Sequence, residues 1–313
     1  MSDKLPNIVI AGNAPQDKHA MLNAMLNEEE LDDLCSILLY GADGEPDVDD
    51  LEDAIEDWKE GKVDGIVCLP FEDATVDVLK QCEADDVQEA FPVYINNTMR
   101  MTSVMGDMDA VEAEMRLTKE ALIKRVRAVA KMLKRDFLIL NPRIALAGGK
   151  DVAVDEEKQQ DIVTVAIAEL EKESIQTFGP VDADTFFKQG NHQAYDALVT
   201  VYDAQCMDDF EEASDGNAMM TLMAGVNAPV VAAEYESVLQ SVFMAIDVAR
   251  NRKEYDAPFA DVLPKLYKER REDGDKARFA VKKKGFNPAE HRRENVNYTT
   301  MPKPKQTQQD ASK

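Results

Sequence analysis

Leu51–Leu69 reads LEDAIEDWKEGKVDGIVCL, and the change of period inside it decides the fold class. Leu51, Ile55 and Trp58 recur at helical spacing, so the first part puts one apolar stripe on a helix. Gly61 follows the last periodic residue, where a helix C-terminus favours glycine. Val63–Leu69 is a short apolar run and reads as a strand. A run from Cys35 to Tyr40 reads as a strand before the helix, and Leu5–Ala11 as another. Strand, helix and strand in alternation are the mark of parallel βαβ units.

The same alternation extends along the chain. Asp17–Leu26 has the helical spacing of Met21, Leu22, Met25 and Leu26. Pro92–Ile95 and Met99–Val104 read as strands. Thr118 opens a long helix to about Lys134, with Leu122, Val126, Val129, Ala130 and Leu133 on one face. Arg143–Ala147 reads as a strand, Val154–Lys172 as a helix carrying Ile162, Val165, Ala166 and Leu170, and Asp196–Tyr202 and Val226–Ala232 as strands. Helices over Glu234–Arg250 and about Asp261–Arg271 close the series. No internal repeat is present, and the expected fold is α/β, with two α/β/α lobes.

The chain has 313 residues and a net charge of −25. Phosphate contacts need a surplus of Lys and Arg, so general binding to nucleic acid or to anionic membrane is not expected. No stretch is long and apolar enough to span a bilayer, and the N-terminus has no signal-peptide core, so the expected compartment is the cytoplasm. Cys35, Cys68, Cys82 and Cys206 lack C-x-x-C spacing, and Cys68 falls inside an apolar run as a reduced core residue. The charge is uneven. From Lys276 onward there are ten Lys/Arg and three Asp/Glu, so the preceding residues carry −32. Residues from about 280 read as a disordered basic tail, or as a docking arm for an acidic partner such as the body of the same protein.

Common site chemistries find little to hold on to. No G-x-G-x-x-G follows a strand. Gly148-Gly149-Lys150 lacks the glycine and the Ser/Thr of a phosphate loop. The acidic run Asp43–Asp57 lacks the spacing of a calcium loop and reads as a solvated helix face. His19, His192 and His291 read as surface residues and form no zinc or triad pattern.

Several segments, in order, resemble one family: the 4-hydroxythreonine-4-phosphate dehydrogenases of vitamin B6 synthesis. Phe178-Gly-Pro-Val-Asp-Ala-Asp-Thr-Phe-Phe187 resembles the family's G-P-x-x-A-D-T-x-F, and Asn141-Pro-Arg-Ile-Ala-Leu-Ala-Gly148 resembles its P-R-I-A-V-x-G strand. Leu117-Thr-Lys-Glu120 matches the start of the preceding helix. Val201-Tyr-Asp-Ala-Gln205 stands where the family has M-Y-H-D-Q. Ala245–Tyr255 resembles the closing helix of its Bacteroides-type members, and Trp58–Val67 fits the first lobe. The resemblance covers roughly residues 50 to 275. It implies a two-lobed fold like isocitrate and isopropylmalate dehydrogenase, with the site in the cleft between the lobes. The first lobe is expected over residues 1–95 plus 226–279, the second over 96–225, and the tail over 280–313. It also implies a homodimer, NAD and a divalent metal held by three histidines, which polarises the substrate hydroxyl.

At those three positions the sequence has Asp107, Asp203 and Tyr235. The Asp and Gly of H-D-Q-G are Ala204 and Cys206. A later lysine is Glu211, an arginine is Val230, and the lysine of the first lobe's phosphate segment is Asp73. The family's substrate-contacting H-T-E segment is lost to a shortening between residues 76 and 92. Gln205, Asp184 and Thr185 survive, with Asp184 readable as a cleft residue or a helix cap. The expected substrate or cleft residues are therefore Asp73, Gln205, Glu211 and Asp184. Besides a different reaction that uses the acidic cleft, two readings follow. One is a family member that has lost the original catalysis and serves as a binding, regulatory or dimer-partner protein, paired with itself or with an active relative. The other is an active oxidoreductase in which Asp107 and Asp203, with Asp109, Asp208 or Asp209, hold Mg²⁺ or Mn²⁺, ions that suit carboxylate ligands.

Overall fold

The computed structural model describes residues 5–12, 31, 34–40, 48–69, 78–79, 89–148, 156–214, 219–233 and 237–257. The helices expected at Asp17–Leu26 and Asp261–Arg271, and the tail from 280, lie outside the described residues. The chain divides into two units, Met1–Ala257 and Pro258–Lys313, and every described residue belongs to the first.

Strand β1 (Asn7–Gly12) lies between β2 (Ser36–Tyr40) and β3 (Gly65–Leu69) and is parallel to both. Between β2 and β3 the chain forms α1 (Val48–Lys59), the helix read from its apolar stripe. Then come β4 (Phe91–Ile95), β5 (Arg100–Ser103), α2 (Ala110–Arg116) and α3 (Lys119–Asp136). Thr118 caps α3 by accepting from the Ala121 N–H at 3.2 Å, and Lys134 and Arg135 sit in its last turn, where they offset the helix dipole. Next are β6 (Arg143–Gly148), α4 (Glu156–Lys172), β7 (Gln176–Asp182), α5 (Ala183–Phe186), β8 (Ala197–Thr200) and α6 (Met207–Glu212). The series ends with β9 (Met220–Ala224), β10 (Val230–Ala232) and α7 (Val238–Asp256).

All ten strands join one sheet in the order β2-β1-β3-β10-β9-β4-β5-β8-β6-β7. Each flank is parallel: β2-β1-β3-β10 on one side, β5-β8-β6-β7 on the other. The two central strands, β9 and β4, pair antiparallel with each other and with their outer neighbours. Three antiparallel steps lie between β10 and β5, so the two parallel flanks run in opposite directions.

The strands alternate strictly. Ile8, Ile10, Val67, Phe91, Val93, Ile144, Leu146 and Val199 face one side, where α3, α4 and α7 cover them in a single continuous core. The other face carries two separate cores. Val9, Ile66 and Cys68 pack with Leu51, Ala54 and Ile55 of α1, whereas Met101, Ala145 and Leu198 pack with Phe186 and Phe210. One continuous layer on one side and two separate caps on the other match a two-lobed α/β/α arrangement. The expected α/β two-lobed class is the observed one.

Some expectations change. Val165 is 47% exposed; Val163 takes its place in the core beside Ala166 and Leu170. Strand β9 was not read from the sequence, and β7 was read only as a motif. Cys68 is buried, as expected. His192 is not a surface residue: it is 8% exposed and its ring stacks on Phe187. Among the described residues no helix is long and apolar enough to cross a membrane.

Candidate functional site

In parallel sheets, ligand sites form beyond the carboxyl ends of the strands. In the second lobe these ends are Ser103 of β5, Thr200 of β8 and Gly148 of β6, side by side. Strand pairing continues past them: the Val104 N–H donates to the Thr200 carbonyl at 3.0 Å and Met105 to Val201 at 2.9 Å. Gly106 then turns with φ +66°, a conformation that favours glycine, and its N–H donates to Ser103 Oγ at 2.8 Å. The Gly106 carbonyl accepts from the Asp203 N–H at 3.0 Å. Backbone bonds thus hold the Asp107 loop and the Asp203 loop against one another.

Tyr94 completes the group. On β4, Phe91, Val93 and Ile95 point to the continuous core, so Tyr94 points to the other face. Its hydroxyl donates to Asp203 Oδ2 at 3.2 Å. Burial, then the charge of Asp203 and its hydrogen bond, then the charge of Asp107, hold the phenol's pKa well above its ordinary value. Tyr94 is therefore a neutral donor at physiological pH. Both carboxylates bear on one phenol, and the loops that carry them are tied through Gly106.

From the opposite side comes Arg125 of α3, 9% exposed. Its guanidinium lies 3.9 Å from the Phe91 ring centroid, and its Nη2 donates to the Val104 carbonyl at 3.2 Å. Its Nη1 has no hydrogen-bond partner among the described residues. Burial lowers its pKa while Glu89 and Asp203 oppose the shift, and an arginine stays charged under such a shift. Neither Tyr94 nor Arg125 was singled out in the sequence. Arg125 did leave a signal: a charged residue inside the apolar stripe Leu122–Val126–Val129.

The remaining expected residues separate. Gln205 is committed to backbone: its Oε1 accepts from Val201 N–H and its Nε2 donates to the Gly148 carbonyl, both at 2.9 Å. It stitches the ends of β8 and β6 together. Glu211 is exposed on α6. Asp109 accepts from the Glu112 N–H at 3.0 Å and caps α2. Asp209 pairs with Lys188 at 3.5 Å, and Asp208 is exposed. The side chain of Asp184, and Asp73 and Tyr235 altogether, lie outside the described residues.

Residues 39–210 match the family model described as pyridoxal phosphate biosynthetic protein PdxA. The chain belongs to this family. Among its relatives, the 4-hydroxythreonine-4-phosphate dehydrogenase of Bacteroides thetaiotaomicron is 28% identical over 253 residues, covering 72% of this chain and 70% of that one. The enzyme of the same name from Bradyrhizobium diazoefficiens is 27% identical over 175 residues, half of each chain. The solved 4-hydroxythreonine-4-phosphate dehydrogenase of Klebsiella pneumoniae superposes with a TM-score of 0.53 at 20% identity, covering 64% of this chain and 68% of that one. One from Burkholderia phymatum gives 0.58 at 14%, covering 81% and 99%. A branched-chain phosphotransacylase from Enterococcus faecalis gives 0.55 at 15%, covering 78% and 99%. The fold is shared with a protein named for another reaction, so the reaction has to be argued from the site.

The PdxA resemblance implies a metal, and of the three implied positions the two that are described, Asp107 and Asp203, do not by themselves make a site for one, while Tyr235 lies outside the described residues. Asp107 is exposed. Asp203 already accepts a hydrogen bond from a buried phenol. Among the described residues no group of three His, Cys, Asp or Glu side chains is placed to hold an ion. The arrangement offers a pinned carboxylate, a neutral phenol donor and a buried guanidinium. It suits recognition by hydrogen bonds and charge better than Lewis-acid activation of a hydroxyl.

Proposed function

We propose that this protein is a PdxA-family scaffold that has lost the metal-dependent dehydrogenation and works as a binding, regulatory or dimer-partner protein in the cytoplasm. The observation that carries this reading is Asp203. It stands where the family resemblance places a metal-binding histidine, and its carboxylate is engaged by Tyr94 Oη at 3.2 Å. That bond leaves other lone pairs of the carboxylate free, so the support comes from the neighbour set: an ion needs further ligands to complete its shell, and among the described residues no group of three His, Cys, Asp or Glu side chains is placed to supply them. The charge changes point the same way, since Asp73 and Glu211 stand where the family has lysines and would repel a phosphorylated substrate. A homodimer, or a heteromer with a histidine-complete relative, keeps a use for the scaffold without the chemistry.

The competing reading is an active NAD-dependent oxidoreductase with a carboxylate-bound divalent ion. Its supporting observation is that Asp107 and Asp203 both bear on Tyr94. The two readings separate on metal content together with turnover of 4-hydroxythreonine 4-phosphate with NAD. The proposed reading expects no stoichiometric metal and no NADH, with or without added Mg²⁺, Mn²⁺ or Zn²⁺. Steady NADH formation that depends on Asp203 would establish the other.

A further inference from the structure

We draw no further inference here: the strongest candidate, the cavity of about 490 Å³ beside the end of β7 that is lined by Asp182, Thr185, Asn191, Gln193 and Tyr195, is bordered by half-buried and exposed side chains, and nothing among the described residues shows what ligand would fill it.

Discussion

Tyr94 and Asp203 are 109 residues apart; Tyr94 is on β4, Asp203 follows β8, and the bond reaches past β5, which lies between those strands. Their bond makes two predictions. Removing the donor with Tyr94→Phe should cost about 1 kcal/mol in urea unfolding, because the half-buried carboxylate loses a partner. Replacing the carboxylate with Asp203→Asn should lower the phenol's pKa, because Asp203 supplies charge and a hydrogen bond to the neutral form. The phenolate absorbance that Tyr94→Phe deletes should then appear at lower pH. Cys68 is a second residue-scale case. Burial alone pushes its thiol up to about 12. Maleimide should therefore leave Cys35, Cys68 and Cys206, all buried, unlabelled until the chain is unfolded. The burial of Cys68 was legible, because its run is apolar throughout. Tyr94 was not: its partner is far away in sequence, and an aromatic in a strand reads as core. His192 was misread for a related reason. The polar loop Gly190–Gln193 hides a ring that tertiary stacking draws inward.

Among the elements, the C-terminus of α3 is tied to α7 and to the β9–β10 turn. Asp136 is fully buried, and Arg252 Nε and Nη2 donate to its carboxylate at 2.8 and 2.9 Å. Arg135 Nε adds a third donor at 2.7 Å, and Arg252 Nη1 donates to the Asn227 carbonyl at 2.6 Å. Burial alone would raise the Asp136 pKa, but Arg252 and then Arg135 hold it below the usual carboxylate value. A carboxylate with a depressed folded-state pKa stabilises the fold above its unfolded pKa, roughly 3.9, and that stabilisation is lost as pH falls through the folded value. Asp136→Asn should therefore cost about 3–5 kcal/mol near pH 7, by leaving the buried Arg252 guanidinium, and the partly buried one of Arg135, without a counter-charge. The gap between variant and wild type in urea unfolding should narrow on acidification below the ordinary carboxylate range. The edge of the second lobe has a different constraint. Gly179 in β7 has φ +146°, and a Cβ there would lie 2.5 Å from the Leu146 carbonyl oxygen. Gly179→Ala should cost about 2 kcal/mol or more, measured by thermal unfolding. The long helices were legible because their apolar stripes repeat over many turns. Strand β9 was not: Asp215-Gly216-Asn217 before it and Gly225 after it are turn signals, but five residues of Met-Thr-Leu-Met-Ala carry too little periodicity to separate strand from helix.

At the scale of the whole molecule, the sequence carried the class of fold further than the arrangement of the site. Parallel βαβ units follow from the change of period within Leu51–Leu69, and the order of motifs pointed to PdxA. The reversal of strand direction across β9 and β4 depends on pairing between distant segments, which no local pattern encodes. The positions expected to hold the metal were placed by resemblance, and the loops that carry Asp107 and Asp203 are tied by the bond from the Asp203 N–H to the Gly106 carbonyl. The group that both carboxylates bear on is a neutral phenol, and no third ligand joins them among the described residues. The proposed function is that of a scaffold kept without its reaction. Metal analysis of the purified chain, run beside an NADH assay with NAD, 4-hydroxythreonine 4-phosphate and each of Mg²⁺, Mn²⁺ and Zn²⁺, tests this most directly. The account predicts substoichiometric metal and no NADH above the no-enzyme control. Stoichiometric metal, with NADH formation that Asp203→Asn abolishes, would contradict it.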